Sequence, residues 1–352
     1  MTDVAKASLP PLRILRQPAI LTGFAALLVF AFLMALAIGA MPIPLGDVIR
    51  ILFGYNADTQ ASAIVLGLRL PRAVLAIIVG AGLGLSGAAL QGLFRNPLAD
   101  PGLIGISGGA ALGAVCVIVL GHLLVAVVPF AAHPMLLPLA AFFGGLAATF
   151  ATERIARSSG VASTAMLLLA GIAINALAGA LMGVLIFMSD DRQLRDITFW
   201  TMGSLAKGGW TGVLLAGPFV ALAIALILPT ARSLNAILLG EREAMHLGVS
   251  VERLKRILMV SAALAVSASV AVTGIIAFVG IVVPHLVRMA AGPDHRIVLP
   301  GAALLGAALL LIADSLARII VVPAELPIGL VTSLIGSPFF LWLLLRRKGL
   351  KS

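Results

Sequence analysis

Long apolar runs separated by short polar stretches make up most of the chain. A run of about 20 apolar residues is the length that a helix needs to cross the hydrocarbon core of a bilayer. The pattern therefore predicts an all-α polytopic membrane protein with about ten transmembrane helices, of which the eighth is a short arm interrupted by proline. The predicted helices cover residues 19–40, 70–93, 103–120, 135–152, 163–188, 211–228, 257–276, 277–290, 297–320 and 328–345.

One stretch, residues 239–256, interrupts this pattern with a dense run of charge. Charged side chains are costly in hydrocarbon, so the stretch must face water between two spans. Apolar residues at helical spacing predict a helix over residues 236–247, and Gly248 as its C-terminal cap predicts two short helices broken at Gly248. Such an amphipathic pair, joined directly to two spans, suggests a docking element, and a solvated loop is the alternative. The charged residues are Glu241, Arg242, Glu243, Glu252, Arg253, Lys255 and Arg256.

Composition supports the membrane interpretation. The chain is 61% hydrophobic and 11% charged, with a mean hydropathy of +1.16, which excludes an ordinary soluble domain. Small residues are concentrated in the run 70–93, where they would let neighbouring helix backbones approach closely. We therefore expect this helix to lie at the centre of the bundle. The single cysteine, Cys116, excludes a disulfide within the chain.

The distribution of positive charge predicts the orientation. Most of the 24 lysines and arginines lie in the loops of one side, a bias typical of the cytoplasmic face. This bias also explains the net charge of +10, so no nucleic-acid partner is expected. We expect a cytoplasmic tail at 1–18, a single transmembrane domain at 19–345 with a cytoplasmic segment at 232–256, and a basic cytoplasmic tail at 346–352.

No catalytic motif is present. The chain lacks a nucleotide-binding P-loop, a metalloprotease HExxH, a G-x-S-x-G elbow and a Cys/His cluster. We therefore expect a protein that is not an enzyme, with no catalytic residue, no bound metal and no permanently bound cofactor.

Few polar residues lie within the predicted spans. Asp314 is either a proton relay, as in a proton-coupled secondary transporter, or a structural residue that pairs with Arg318 four residues later or bonds a neighbouring helix. Gln91 and Asn175 suit either hydrogen bonds between helices or a substrate path. Trp200 is either an interfacial anchor or the border of a substrate cavity.

Several long segments resemble the FecCD-type permeases, the membrane subunits of ABC importers for iron siderophores, haem and cobalamin. The resemblance runs in order through almost the whole chain, from about residue 69 to 347. It is carried by LRLPR at 68–72, SGAALQGLFRNPLADPGLIGISGGA at 86–110, GIIAFVGIVVPHLVR at 274–288, DHRIVLPGAALLGAALLLIADSLAR at 294–318 and PAELPIGLVTSLIGSPFFLWLLLRR at 323–347.

This resemblance implies the type II ABC importer permease fold, with ten spans in each subunit. It also implies a homodimer in the bacterial inner membrane, two cytoplasmic ATPase subunits that bind the ATP, and a periplasmic substrate-binding protein. The segment DDRQLRDITFWTMGSL at 190–205 is most similar to the haem branch. Haem or another iron chelate is therefore the expected cargo, with ferric siderophore or cobalamin as alternatives.

The resemblance also implies roles for individual residues. Arg69, Arg72 and Arg318 match external arginines that pair with glutamates of the binding protein, although stabilisation of the external helix ends is the alternative. The expected substrate-path residues are Gln91, Asn175 and Trp200. The expected ATPase contacts are Leu239, Gly240, Glu241, Arg242, Glu243, Ala244, Leu247 and Gly248.

Overall fold

The computed structural model describes residues 12–55, 58–125, 133–158, 164–322 and 324–348 of the 352-residue chain, and within these ranges the regular structure is entirely helical. The α-helices are α1 (Leu12–Ala37), α2 (Leu45–Leu52), α3 (Thr59–Ser62), α4 (Leu70–Leu93), α5 (Ile106–Val125), α6 (Leu136–Arg157), α7 (Thr164–Phe187), α8 (Asp191–Met202), α9 (Gly209–Ile227), α10 (Ala231–Ile237), α11 (Glu241–His246), α12 (Val251–Thr273), α13 (Val279–Ala291), α14 (His295–Ile319) and α15 (Ile328–Lys348).

Within the described ranges, eight helical stretches are long and apolar enough to cross a membrane. Two further apolar helices, Val279–Ala291 and Ile328–Leu343, are shorter. The prediction of an all-α polytopic membrane protein is confirmed, and the predicted count of about ten corresponds to the eight long stretches and the two short ones. The eight stretches are Pro18–Ala37, Thr59–Leu93, Ile106–Leu123, Leu136–Ala156, Thr164–Phe187, Gly209–Ile237, Val251–Thr273 and His295–Ile319.

Some helices extend beyond their predicted limits. Helix α1 begins at Leu12, inside the predicted tail 1–18, and α15 continues to Lys348, inside the predicted tail 346–352. Helix α3 begins at Thr59, because the Asp58 side chain accepts a hydrogen bond from the Gln60 N–H and caps the first turn. A π-helical turn, Ala63–Arg69, then joins α3 to α4 without a break.

Helix α8 lies in a polar stretch for which the apolar pattern predicted no helix. Asp190 accepts a hydrogen bond from the Gln193 N–H at 2.8 Å, and the Gln193 side chain accepts one from the Asp190 N–H at 3.1 Å. This reciprocal pair is a capping box, which starts a helix independently of hydrophobic periodicity.

Helix α4 lies at the centre of the bundle, as its small residues predicted. Every residue from Val79 to Leu93 is buried. A Cβ atom on Gly80 would overlap the backbone carbonyl of Gly306 in α14, and one on Gly84 would overlap the carbonyl of Ala302. The two helices therefore touch through their backbones, a packing mode that small residues allow in membranes.

We expect Gly80→Leu to lower the stability of the permease by at least about 1–3 kcal/mol, because the new side chain must push α4 away from α14. Gly23→Leu is the matched control, since nothing lies within 4 Å of a Cβ built on Gly23 in α1. Thermal unfolding of the purified protein in detergent micelles measures both changes. Equal unfolding temperatures for the two variants would show that the contact between the two backbones is not required.

Helix α13 is short, and the chain that leads into it is not helical. Helix α12 ends at Thr273, and residues 274–278 join it to α13. Phe278 has a positive φ of 68°, which is strained for a residue with a side chain. A Cβ on Gly336 of α15 would overlap the Phe278 side chain, so α15 covers this turn closely.

Candidate functional site

The residues expected to contact the ATPase subunit and the binding protein lie at the two ends of the bundle. Helix α4 connects these ends, since Arg69 precedes it and Gly92, near its last residue, contacts Leu234 of α10. We call the end that carries α10 and α11 the α11 end, and the end that carries α2 and residues 324–327 the α2 end.

At the α11 end, the predicted helix over residues 236–247 is interrupted. Helix α10 ends at Ile237 and α11 begins at Glu241. Gly240, between them, has φ 134° and ψ 153°, a conformation essentially restricted to glycine. A Cβ on Gly240 would also overlap the Glu243 carboxylate. The prediction of one helix through this glycine was therefore wrong, and the segment consists of two short helices followed by α12.

The predicted cap at Gly248 is confirmed. Gly248 has a φ of 83°, and its N–H donates to the Met245 carbonyl at 2.9 Å. The Val249 N–H donates to the Ala244 carbonyl at 3.0 Å. These two bonds form the Schellman arrangement, which ends α11 and turns the chain into α12.

Helix α11 has one buried face and one exposed face. Ala244 is fully buried against the bundle. Exposed side chains of α11, together with those of the flanking Leu239 and Leu247, form what we call the α11 surface, which combines apolar and charged groups. Its residues are Leu239, Arg242, Glu243, Met245 and Leu247.

Lys255 holds α11 to α12, and sequence reasoning missed it. The residue is only 2% exposed, and its Nζ lies 2.9 Å from Glu241 Oε2 and 3.6 Å from Glu252 Oε1. Glu241 is the first residue of α11, so the pair fixes the start of that helix to the long helix behind it. The spacing of Glu252 and Lys255 on one helical face is the available sequence signal.

A second contact ties this region to the centre of the bundle. The Asn235 side chain of α10 donates to Asp294 Oδ1 at 2.6 Å, and its oxygen accepts from the His295 N–H at 2.9 Å. Burial raises the pKa of Asp294, but the hydrogen bonds from Asn235 and the Arg296 N–H and the charges of Arg296 and His295 outweigh it, and the pKa lies below its usual value. The ionised Asp294 therefore connects α10 to the start of α14.

At the α2 end, Arg69 is 7% exposed and is engaged by the backbone. Its guanidinium donates to the carbonyls of Leu36 at 2.7 Å and Ala37 at 2.9 Å, and also to the carbonyl of Met41. The last carbonyls of a helix have no partner within the helix, so Arg69 satisfies the end of α1.

Arg318 and Arg72 meet at the carboxylate of Asp314, which is 1% exposed. Arg318 Nε lies 3.2 Å from Asp314 Oδ2, and its Nη2 donates to the Ala35 carbonyl at 2.9 Å. Arg72 Nε donates to both Asp314 oxygens, at 3.0 and 3.1 Å. The interpretation that Asp314 pairs with Arg318 is confirmed, and Arg72 is a second partner.

Arg72 also has a partner on its outer side. Its Nη1 donates to the two oxygens of Glu325, at 2.8 and 3.0 Å. The Glu325 side chain is 42% exposed, so this pair faces solvent. The docking role of the three arginines stays a prediction. Of the partners that the structure describes for these arginines, Glu325, the outer partner of Arg72, is the most exposed.

The three expected substrate-path residues take up separate positions. Gln91 donates to the Gly280 carbonyl at 3.1 Å and accepts from Arg288, and Asn175 donates to the Gly102 carbonyl at 2.8 Å. Trp200, near the end of α8, packs half-buried against the hydrophobic core. The interpretation of Gln91 and Asn175 as hydrogen-bonding residues between separate elements is confirmed, whereas their place on a substrate path stays a prediction.

No candidate metal centre is present in the part of the chain that the structure describes. There, no group of three or more His, Cys, Asp or Glu side chains is arranged to hold a metal ion.

Comparison with known proteins identifies the family. Residues 27–346 match the FecCD transport family. The hemin transport system permease protein HmuU of Yersinia pestis is 48% identical over 96% of this chain and 98% of its own length. The cobalamin import system permease protein BtuC of Halobacterium salinarum is 46% identical over 84% of this chain and 76% of its own length.

A solved structure agrees with these matches. A transporter described as of the metal-chelate ABC type, in an inward-facing conformation, is 33% identical and superposes with a TM-score of 0.81 over 94% of this chain and 99% of its own. The fold, the matched residues and the relatives agree on a membrane permease of the ABC transporters. The chain belongs to the FecCD transport family.

Proposed function

We propose that this chain is the permease subunit of a bacterial ABC importer that moves haem, or another iron chelate, into the cytoplasm. It would act as a homodimer in the inner membrane, with two ATPase subunits at the α11 end and a periplasmic substrate-binding protein at the α2 end. Both termini would then be cytoplasmic. The proposal includes no permanently bound cofactor, because haem is the cargo and ATP binds to the partner.

The observation that carries this proposal is the construction of the α11 surface. Its exposed side chains sit on a short helix that is held by the buried Ala244, by the Glu241–Lys255 pair and by the cap at Gly248. A rigid surface of this kind can pass a displacement into α12 and, through Asn235, into α14. The sequence has no nucleotide-binding P-loop, and the proposal assigns ATP binding to a partner that docks on this surface.

We expect Glu243→Arg to weaken binding of the ATPase subunit by about tenfold or more, because reversing a charge within an interface creates unfavourable contacts. Glu243 is exposed, so the permease itself should fold normally. The dissociation constant for the ATPase subunit, measured with the permease in lipid nanodiscs, tests this. Asp191→Arg, an exposed reversal on α8, is the control, and equal constants for the two variants would contradict the assignment.

The choice of haem is supported by the similarity to HmuU, which covers nearly the whole of both chains. The similarity to cobalamin permeases keeps cobalamin as an alternative, and ferric siderophore is the other. The deciding experiment reconstitutes the permease with its ATPase and binding protein in proteoliposomes. We expect haem-loaded binding protein to stimulate ATP hydrolysis and haem uptake, whereas stimulation by a siderophore or cobalamin complex alone would reassign the cargo.

A further inference from the structure

Arg72 is shared by two carboxylates that lie on opposite sides of its guanidinium. Asp314 takes the inner side and is buried, with Arg72 Nη2 2.9 Å from its Oδ1. Glu325 takes the outer side through Nη1 and is exposed to solvent. The Arg72 side chain is itself only 14% exposed, so a carboxylate from outside can reach it only at the position that Glu325 now occupies.

Arg69 and Arg318 are not accessible to a partner carboxylate in the same way. Their donors are engaged by the backbone carbonyls that end α1 and by Asp314. Both side chains are buried, and a new carboxylate would reach them only if α1 moved away. Breaking these bonds would also leave buried carbonyl groups without partners, which is costly.

The Glu325 side chain can move away from Arg72. Glu325 lies in the non-helical residues 324–327 between α14 and α15, and its 42% exposed side chain can be solvated after release. The neighbouring backbone is fixed, because the Leu326 N–H donates to the Ala317 carbonyl and the Ile328 N–H donates to the Gly203 carbonyl, each at 3.0 Å. Release of Glu325 therefore requires a change of side-chain conformation alone.

We propose that Glu325 is an internal competitor for the docking site: it occupies the outer side of Arg72 until a carboxylate of the binding protein replaces it. Arg72 is then the one arginine of the three that contacts the partner, while Arg69 and Arg318 hold α1 and Asp314 in place. This proposal rests on the proposed function, which places the substrate-binding protein at the α2 end.

Exchange of one carboxylate for another has a clear energetic advantage. Asp314 pairs with Nε and Nη2 of the mostly buried guanidinium, and Glu325 supplies the acceptor for Nη1 in the undocked state, so no buried donor is left unpaired. Asp314 keeps the plane of the guanidinium oriented throughout, so the incoming carboxylate meets a fork that is already aligned. The same arrangement lowers the affinity for the partner, because the partner must displace Glu325.

The test measures the dissociation constant of the importer's own substrate-binding protein for the permease–ATPase complex in lipid nanodiscs. Glu325→Gln should tighten binding roughly two- to fivefold, the value expected for removing a competing exposed ion pair, and high salt should reduce this gain. Glu325→Asp, which keeps the charge, should give the wild-type dissociation constant or one between those of the wild type and Glu325→Gln. Unchanged or weaker binding by Glu325→Gln would overturn the proposal.

A double variant separates competition from direct contact. In an Arg72→Gln background, Glu325→Gln should have no effect on affinity, because both substitutions act through the same guanidinium. An undiminished effect in that background would also overturn the proposal. If the wild-type complex does not bind the substrate-binding protein at all, the proposed function itself fails, and this proposal fails with it.

Discussion

Replacing Asp314 by alanine is expected to lower the free energy of unfolding by about 3–5 kcal/mol, because two guanidinium groups lose their shared buried partner. Asp314 accepts hydrogen bonds from Arg72 Nε and forms an ion pair with Arg318 Nε. Arg318 also holds the Ala35 carbonyl of α1, so the loss should loosen the packing of α1 on α14.

Unfolding in detergent micelles measures this effect. The control is Asp47→Ala, which removes an exposed pair with Arg50 at 3.5 Å and should cost no more than about 0.5 kcal/mol. Wild-type stability of Asp314→Ala would contradict a structural role for the carboxylate.

Asp314 also tests the alternative of a proton-coupled secondary transporter. A transporter of that class would take up substrate along a proton gradient without an ATPase, and Asp314→Asn would abolish this uptake. With both Asp314 oxygens occupied by arginines, we expect no proton-driven uptake by the permease alone. Uptake by proteoliposomes that contain only the permease would support the alternative.

Replacing Lys255 by methionine is expected to uncouple the permease from its ATPase without unfolding it. Methionine fills a similar space, and the released Glu241 and Glu252 are both partly exposed and can be solvated. A hydrogen bond between charged groups contributes about 1.5–3 kcal/mol. The population of permease in which α11 has left its fixed position should therefore rise about ten- to a hundredfold. ATP-driven transport should fall accordingly, whereas binding of the ATPase subunit should persist.

The matched control is Arg253→Met, two residues earlier and exposed on the same helix. Transport, ATPase binding and thermal stability are compared in parallel, because a general structural defect would lower all three. A Lys255→Met permease that transports as well as the Arg253→Met variant would show that the Glu241–Lys255 pair does not transmit motion.

The arrangement of the spans could be predicted from the sequence because it depends on local properties. Apolar length determines where helices cross the membrane, and the small residues of α4 indicate where two backbones can touch. The place of the charged segment between two spans followed from the same reasoning. The helix limits were less accurate, since caps such as Asp58 and Gly240 act independently of apolar periodicity.

The partners of the charged residues could not be predicted in the same way. Glu325 lies 253 residues from Arg72 in the chain, and no local pattern indicates that they meet. The resemblance to the FecCD-type permeases implied that Arg69 faces a partner protein. The five donors of Arg69 equally suit the unpaired carbonyls at the end of a helix, and only the packing of α1 shows that they are used there.

The short α13 has a consequence for how the protein enters the membrane during synthesis. Its 13 residues extend about 20 Å, less than the roughly 30 Å hydrocarbon core, and they include His285 and Arg288. A segment of this length and polarity is a poor substrate for insertion on its own. We infer that α13 enters the bilayer together with α12 or α14 as a hairpin. The turn at Phe278 then gains its cover when α15 packs against it through Gly336.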